Sequence, residues 1–199
     1  MKERIAARLR GTRPATDPAA AARAALPPAV ATLFSESLIA AAVLVPLVER
    51  EPGLTVLLTQ RTDHLRDHPG QISFPGGRLA AGDETPLAAA LRETNEELGI
   101  AAELVEVAGY LPPHPVITGF ALTPVVGFLP ASIVLIPDPI EVAEVFEVPL
   151  DFILDPVNAT PAVRRLGGID LPVCEYRYGS RRIWGATAAI LNTLRLELL

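Results

Sequence analysis

The sequence predicts an α+β fold in which one mixed β-sheet lies between helices, an α/β/α sandwich. Three observations lead to this prediction. The chain has 199 residues, enough for one domain with a full core and too few for two comfortable ones. With 50% hydrophobic and 20% charged residues, its composition is that of a globular protein. Its apolar residues form short runs cut by proline and glycine, as in strands, and only a few segments have helical periodicity.

Residues 1–35 are expected to form a partly helical leader, ahead of a domain that spans residues 36–199. Arginines are interleaved with Ile5 and Leu9 near the start, and four prolines between positions 14 and 28 then interrupt any regular continuation. The leader has no apolar segment or cleavage site of the kind that marks a secretory signal. We therefore expect no secretory signal here. An amphipathic organelle presequence stays an alternative, against which Glu3 and Asp17 count, and no function is assigned to the leader.

The domain begins with a run of predicted strands. In chain order these are AAVLVPLVE, LTVLLTQR, QISFPGG, VEVAGYLPP, ALTPVVGFLP and VCEYRYGSRRIWG. Helices are predicted from Thr85 to Leu98 and from Ala186 to Leu198, with a short helical turn from Pro149 to Ile153. This succession of strands with few helices favours a mixed sheet covered by helices.

Residues at both ends of the segment from Thr85 to Leu98 predict where this helix begins and where it ends. Thr85 is a good N-cap, Pro86 suits the first helical position, and Gly99 suits the position just after the end. The spacing predicts a core stripe formed by Leu87, Leu91, Thr94 and Leu98. It also places Glu93, Glu96 and Glu97 together on the helix, roughly opposite that stripe.

Charge and cysteine content narrow the possible functions. A net charge of -6 disfavours broad binding to nucleic acid or to an anionic membrane, although Tyr176, Tyr178 and Trp184 alternate with arginines. We expect those aromatic residues to pack in a strand pair. The longest apolar run, Leu38 to Val48, is about half the ~20 residues that a membrane crossing needs. Cys174 is the single cysteine, so we expect a cytoplasmic protein without disulfides. The oligomeric state stays open, a homodimer included.

The three glutamates are the main candidate site. Acidic residues at such spacing most often form a solvated helix face. Here the like charges repel one another near a helix C-terminus that favours cations, and only Arg92 offsets them. A divalent cation would remove the conflict, and the glycine doublet before the helix lets a backbone carbonyl approach the same ion.

The spacing of these residues resembles the Nudix box, G-x5-E-x7-R-E-U-x-E-E-x-G-U, where U is apolar. The matching residues are Gly77, Glu84, Arg92, Glu93, Glu96, Glu97, Gly99 and Ile100. Two positions depart from the pattern, since Gly77 stands one residue too far from Glu84 and Thr94 occupies an apolar position.

The resemblance implies the Nudix fold and metal-dependent hydrolysis of a diphosphate. It implies that Mg²⁺ or Mn²⁺ is held by Glu93, Glu96 and Glu97 with a carbonyl of Gly76 or Gly77. Arg92 would orient the glutamates, and either Asp83 or Glu84 would anchor Arg92, because the extra residue puts both acids within reach. The base that deprotonates water is Glu96, Glu141 or Glu144, and the sequence does not choose among them.

The segment from Leu57 to Gly77 resembles a second motif, LLTxRSx3Rx3Gx3FPGG, of the coenzyme A pyrophosphatase subgroup. Thr62 stands where that motif has serine. The resemblance implies cleavage of coenzyme A or a derivative to 3′,5′-ADP and 4′-phosphopantetheine. It implies substrate contacts from Arg61, Arg66, Gly70 and Phe74, although Phe74 is also a good core residue.

Alternative functions remain at this stage. One alternative substrate is another nucleoside diphosphate derivative, such as a nucleotide sugar, ADP-ribose or a dinucleotide. A different class is a non-catalytic Nudix-fold regulator that binds nucleotide, which the intact carboxylates disfavour. A zinc site at His64 and His68 is disfavoured by Pro69, which opposes a helix there, and Cys174 is expected to be inert.

Overall fold

The computed structural model describes residues 1–199, and its main body is an eight-stranded mixed sheet. The strands of the chain are β1 (Ile39–Glu49), β2 (Leu54–Arg61), β3 (Ile72–Ser73), β4 (Gly76–Arg78), β5 (Glu106–Tyr110), β6 (His114–Val116), β7 (Phe120–Leu129), β8 (Val142–Pro149), β9 (Thr160–Leu166), β10 (Ile169–Tyr178) and β11 (Arg181–Ile183). The helices are α1 (Lys2–Leu9), α2 (Pro18–Ala24), α3 (Pro28–Ala31), α4 (Pro86–Leu98), α5 (Leu150–Leu154) and α6 (Gly185–Leu198).

The long apolar strand β1 is the centre of the main sheet. It pairs in parallel with β7 and antiparallel with β2 and β4, while β3 and β8 pair with β2, and β5 and β6 pair with β7. Strands β9, β10 and β11 form a separate antiparallel sheet. The predicted α+β architecture with a mixed sheet is confirmed.

Side chains of the central strand alternate between two helical layers. Val43 and Val45 belong to the large core cluster that also contains residues of α1, α5 and α6. Leu44 packs instead with Ala89 and Ala90 of α4. Successive residues of a strand point to opposite faces, so helices on both sides bury both faces of the sheet.

The predicted helix at residue 85 is confirmed, but its buried face differs from the predicted stripe. The Thr85 side chain accepts a hydrogen bond from the Ala88 amide, and the helix ends at Gly99, whose φ is 68°. The buried residues are Ala89, Ala90, Thr94, Glu97 and Leu98. The prediction that Glu97 lies opposite the core stripe was therefore wrong, because small alanines bring that side of the helix close to the sheet.

Three strands were not predicted from the sequence: the short β6, and the longer β8 and β9. No strand was predicted around Glu141 and Glu144, yet β8 pairs with β2 and alternates buried Phe146 and Val148 with more exposed residues. Strand β9 is mostly exposed, so it has no apolar run that could mark it. The predicted helical turn after Pro149 corresponds to α5, and the predicted final helix corresponds to α6.

Helix α1 packs against the domain through side chains that are buried in its core. Ile5 and Leu9 of α1 are buried in the large core cluster, and the hydroxyl of Thr12 accepts a hydrogen bond from the Tyr110 amide. Helices α2 and α3 continue the partly helical segment of residues 1–35. None of the chain's helices combines the length and hydrophobicity that a membrane span requires.

Candidate active site

Glu97 is a charged side chain buried between α4 and the sheet. It is 4% exposed, and no salt bridge neutralises it. Burial raises the pKa of Glu97 to about 8, and the nearby carboxylates of Glu141 and Glu93 add to this increase. The charge of Arg61 and the backbone of Gly76 lower this pKa without cancelling the effect of burial. The carboxylate therefore occupies a place where a cation would be strongly favoured.

Glu93 lies one helical turn earlier, directly over the glycine doublet. A Cβ atom at Gly77 would come within 2.4 Å of the Glu93 carboxyl carbon. Only glycine leaves room for the carboxylate to approach the backbone this closely. Burial raises the pKa of Glu93, although a hydrogen bond from Arg92 opposes the shift. Glu93, Glu97 and the Gly76–Gly77 backbone thus meet at one end of β4.

Arg92 joins three acidic side chains, those of Asp83, Glu93 and Glu96. Its Nε and Nη2 atoms donate to the two carboxylate oxygens of Asp83 at 3.1 and 2.9 Å. Its Nη1 atom donates to Glu93 at 2.9 Å and to Glu96 at 3.0 Å. These hydrogen bonds from Arg92 lower the pKa of Asp83. In this arrangement Arg92 holds Glu93 in position.

Asp83 takes the anchoring position that the sequence left open between two acids. Its carboxylate is 6% exposed and also accepts a hydrogen bond from the Ala80 amide at 2.7 Å. Glu84 is exposed and makes no hydrogen bond or ion pair. The extra residue in the loop therefore brings the preceding acid, rather than Glu84, to the arginine.

Arg61 and Glu141 approach Glu97 from the sheet. Arg61 ends β2, and Glu141 precedes β8, which pairs with β2. Thr62 fastens the two together, since its amide donates to the Glu141 carbonyl at 3.0 Å and its hydroxyl donates to the Ile140 carbonyl at 2.7 Å. Thr62 had no predicted role, although it occupies the serine position of the second motif. The threonine hydroxyl serves this contact as a serine hydroxyl would.

Several predicted site residues lie elsewhere. Glu144 is hydrogen-bonded to Arg181 and borders a separate cavity together with Gly70. Arg66 is exposed on the loop between β2 and β3. Phe74 is 3% exposed within the large core cluster, so it supports the glycine doublet and has no free surface for a ligand. The prediction that Phe74 contacts substrate is corrected on this point.

The donor set suits a hard divalent cation. No group of three or more histidine, cysteine, aspartate or glutamate side chains is gathered tightly enough to hold an ion. Arg92 draws Glu93 and Glu96 to itself, and Glu96 is 58% exposed. Mg²⁺ nevertheless needs only one or two carboxylates, because waters and substrate oxygens complete its coordination. Glu93, Glu97 and a carbonyl of Gly76 or Gly77 fit that requirement.

The remaining candidates have structural surroundings. His68 is hydrogen-bonded to Thr118 and His64 to Thr62, so the two histidines do not form a shared site. Tyr176 is fully buried in the core, as expected for packing in a strand pair. Burial raises the pKa of the Cys174 thiol, which disfavours a reactive thiolate.

Known proteins share both the sequence and the architecture. The family model for the NUDIX domain matches residues 38–162. The protein named uncharacterized Nudix hydrolase NudL from Enterobacter sp. (strain 638) is 46% identical over 159 residues, which cover 79% of this chain and 82% of that protein. Its namesake from Klebsiella pneumoniae (strain 342) has the same identity and coverage.

Solved structures agree with this assignment. The Nudix hydrolase RenU from M. smegmatis aligns with a TM-score of 0.51 and 26% identity, covering 61% of this chain and 81% of its own. The NUDIX domain of Shewanella oneidensis NrtR has a TM-score of 0.52 over 88% of this chain and 96% of its own, and at 17% identity it supports the fold alone. With the glutamates, the arginine and the glycine doublet assembled at one end of the sheet, the chain belongs to the Nudix family and is a Nudix hydrolase.

Proposed function

We propose that this Nudix hydrolase cleaves the diphosphate of coenzyme A or a close derivative, using Mg²⁺ or Mn²⁺. The observation that carries the proposal is the buried carboxylate of Glu97, which no salt bridge neutralises and which lies near Arg61, a residue of the segment that resembles the coenzyme A motif. A bound cation would balance the negative charge of Glu97, and a bound diphosphate would balance the positive charge of Arg61. The products would be 3′,5′-ADP and 4′-phosphopantetheine or its acylated form.

Each protein group has a role in this reaction. Glu93, Glu97 and a carbonyl of Gly76 or Gly77 would hold the divalent ion, with Glu96 supporting a second ion or the water. When bound, the ion neutralises the diphosphate and stabilises negative charge on the leaving oxygen. Arg92, fixed by Asp83, orients Glu93. Arg61, whose charge acts on Glu97, would bind a diphosphate oxygen.

Glu141 is the best-placed base. Its carboxylate is close enough to Glu93 and Glu97 to raise the pKa of both, and Thr62 holds its backbone against β2. In the proposed step a water oxygen attacks phosphorus and the P–O bond to the leaving phosphate breaks. The Glu141 carboxylate takes the proton of the water. Glu96 remains an alternative base, while Glu144 is occupied by Arg181.

Arg66 has a separate place in the proposal. It is exposed on the loop that follows Arg61, and in the proposal it binds an outer phosphate of the substrate. Coenzyme A carries a 3′-phosphate that ADP-ribose and most nucleotide sugars lack. Loss of one charge-assisted contact to phosphate typically costs ~1.5 to 3 kcal/mol, so Arg66→Ala should narrow a preference for the 3′-phosphate by roughly 10-fold or more.

The deciding experiment is a substrate panel with Mg²⁺ and with Mn²⁺, with the products identified by mass. We expect coenzyme A to have a higher kcat/KM than 3′-dephospho-coenzyme A, and Arg66→Ala to reduce this ratio. A variant that is merely unstable would lose both substrates equally. If ADP-ribose or a nucleotide sugar is cleaved much better than either coenzyme, the substrate assignment is wrong. If nothing is cleaved but nucleotides bind, the chain is a regulator.

A further inference from the structure

The connection between β7 and β8, residues 130–141, carries the proposed base at its end. It contains no helix or strand, and Glu141 is its last residue before β8 begins at Val142. Loops are commonly the more mobile parts of a fold. A general base, in contrast, works only when its carboxylate stays within hydrogen-bond reach of the reacting water. Contacts that fix the backbone of this connection therefore bear on the reaction.

The connection is attached first to the C-terminal end of helix α4. The Ile136 amide donates to the Leu98 carbonyl at 2.8 Å. The Asp138 amide donates to the Glu97 carbonyl at 2.9 Å. The last carbonyls of a helix have no partner within it, so these contacts satisfy two of them. Glu97, the proposed metal ligand, thus also holds the connection through its backbone.

Asp138 then folds the following residues into a turn. Its side-chain Oδ1 atom accepts a hydrogen bond from the Ile140 amide at 2.9 Å, the pattern of an Asx-turn. Its backbone carbonyl accepts a hydrogen bond from the Glu141 amide at 3.1 Å. Pro137 and Pro139 on either side restrict the backbone further, since proline fixes φ. Asp138 therefore links helix α4 to the turn that carries Glu141.

Thr62 holds the other side of the same turn. It lies directly after β2 and is 7% exposed. Its hydroxyl donates to the Ile140 carbonyl at 2.7 Å, and its amide donates to the Glu141 carbonyl at 3.0 Å. The peptide unit between Ile140 and Glu141 is thus bonded on both sides, through its N–H to Asp138 and through its C=O to Thr62. The backbone that precedes the Glu141 side chain is therefore fixed in two directions.

These contacts hold Glu141 where electrostatic repulsion opposes it. Burial raises the pKa values of Glu93 and Glu97, and the nearby Glu141 carboxylate adds to both increases. Carboxylates of like charge repel one another, so without its anchors the turn would carry the Glu141 carboxylate away from the other two. A misplacement of about 1 Å can slow a reaction roughly 10²-fold. We therefore expect the anchors to affect turnover more than stability.

We propose that Asp138 and Thr62 are positioning residues, which hold the Glu141 carboxylate at the site that Glu93 and Glu97 form. The inference rests on the proposed function, because that function assigns the base to Glu141. Asp138 lies outside both sequence motifs, and Thr62 is the threonine at the serine position of the second motif. Both act on the reaction through the backbone of the turn, without touching the substrate.

The first test compares variants that remove each anchoring group with variants that keep it. Thr62→Val removes the hydroxyl, and Asp138→Ala removes the acceptor of the Ile140 amide. Each should lower kcat at least ~10-fold and leave KM within about 3-fold, because the base is displaced while the binding groups stay in place. Thr62→Ser keeps a hydroxyl and Asp138→Asn keeps an acceptor oxygen, so both should retain kcat within about 3-fold. The assay uses Mg²⁺ and the diphosphate that the substrate panel shows to be cleaved best.

Thr187→Val is the matched control. Thr187 is 6% exposed, and its hydroxyl donates to the Ile72 carbonyl at 2.9 Å, so the same substitution removes a comparable hydrogen bond between α6 and β3. It should lower the Tm about as much as Thr62→Val does, yet leave kcat within about 3-fold. This comparison separates a general loss of stability from a loss of positioning.

A second readout needs neither a metal ion nor turnover. Hydrogen exchange of the Glu141 amide, measured by NMR in the metal-free protein, reports on its hydrogen bond to the Asp138 carbonyl. Asp138→Ala and Thr62→Val should speed this exchange at least ~10-fold, whereas Thr187→Val should leave it unchanged. Unchanged exchange in both removal variants would show that the turn does not depend on these anchors, against the proposal.

Combination with Glu141→Gln shows whether the anchors act through the base. Added to Glu141→Gln, Thr62→Val and Asp138→Ala should each cost less than about 3-fold, since no base remains to be displaced. The proposal is overturned if both removal variants alone keep kcat within about 3-fold, or if their losses are as large in the Glu141→Gln background as in the wild type. It is also overturned if Thr62→Ser and Asp138→Asn lose as much as the removal variants, because the hydrogen bonds would then not be the cause.

The outcomes keep this proposal distinct from the proposed function. If another diphosphate is cleaved instead of coenzyme A, the substrate assignment fails, and the tests of Thr62 and Asp138 are carried out with that diphosphate. If coenzyme A is cleaved and Glu141→Gln is impaired but the removal variants are not, the proposed function stands and the positioning role fails. If Glu141→Gln keeps full activity, the base assignment and the positioning role fail together, while the substrate assignment is unaffected. If no diphosphate is cleaved, both proposals are wrong.

Discussion

Glu97 on α4 and Glu175 on β10 are both buried carboxylates with opposite surroundings. Glu175 has a side chain that is 9% exposed, and it accepts hydrogen bonds from Arg177 at 3.1 Å and from Arg182 at 2.7 Å. These arginines, Arg182 first, lower the pKa of Glu175. Glu97 has no such partner, and burial raises its pKa to about 8.

The difference separates a structural acid from a functional one. Arg177 and Arg182 compensate Glu175 inside the chain, so Glu175 needs nothing more and helps to hold β10 and β11 together. Near Glu97 the positive charge of Arg61 is opposed by the carboxylates of Glu93 and Glu141. Burying a charged Glu97 therefore costs folding free energy when no ligand is bound. A buried charge that the fold does not neutralise marks the place where a cation is expected.

The largest expected effect is on turnover at the uncompensated acid. Glu97→Gln and Glu93→Gln should each lower kcat by at least ~10²-fold, because each removes a carboxylate that holds the ion. Glu175→Gln is the matched control and should keep kcat within about 3-fold, since Glu175 lies outside the site. Steady-state assays with Mg²⁺ measure this contrast. Near-normal turnover in both α4 variants, or full activity in excess chelator, would refute the metal assignment.

The next largest effect concerns the two acids near Arg92. The sequence alone left the anchor of Arg92 open between Asp83 and Glu84. The structure gives Asp83 both hydrogen bonds to the arginine, so Asp83→Ala should now lower kcat/KM by about 10- to 100-fold, the usual range for residues that position metal ligands. Glu84→Ala should have almost no effect. Equal losses in the two variants would show that both acids share the anchoring role.

A third effect is on stability and depends on pH. Because the pKa of Glu97 rises from its usual 4.5 to about 8 on folding, folding favours the protonated form. Its contribution to stability is complete below pH 4.5 and is lost as the pH rises through about 8. In excess chelator, Glu97→Gln should therefore raise the Tm at pH 8 by at least ~4 °C and change it little at pH 5.

The same reasoning applies to the divalent ion. Adding Mg²⁺ or Mn²⁺ should raise the Tm of the wild-type protein more at pH 8 than at pH 5, because only the deprotonated carboxylate binds it. Glu97→Gln should lose most of this response. A Tm of the chelated wild type that does not fall between pH 5 and pH 8 would contradict an uncompensated Glu97.

The contrast between Glu97 and Glu175 shows which features of the fold and of the site could be predicted from the sequence. Helix ends, strand runs and the acidic motif depend on local spacing, so α4, β1, β2 and the Glu93–Glu97 cluster were predictable. The burial of Glu97 was not predictable, because it depends on how closely Ala89 and Ala90 allow α4 to approach the sheet. The choice of Asp83 over Glu84 depends on the path of a loop. The ion pair of Arg181 with Glu144 was not predictable either, because the two residues are far apart in the sequence and only the tertiary fold brings β11 to β8.

The smallest expected effect is at the compensated acid. Arg182 and Arg177 lower the pKa of Glu175, so its contribution to stability is present above the usual value of 4.5 and is lost as the pH falls through the lower folded value. Glu175→Gln should therefore lower the Tm at pH 7, and the deficit should shrink in acid. Both arginine side chains are more than half exposed, so solvent and salt screen the pairs. We expect the Tm to fall by only about 1 to 2 °C, and by less in 1 M salt.

Thermal melts at pH 7 and pH 4, with and without salt, measure this change in Tm. The control is Glu106→Gln, which removes an exposed surface acid paired with Lys2 and so reports the effect of losing a surface ion pair. If Glu175→Gln raised the Tm at pH 7, as expected for Glu97→Gln at pH 8, the arginines would not compensate Glu175 and the distinction between the two acids would fail.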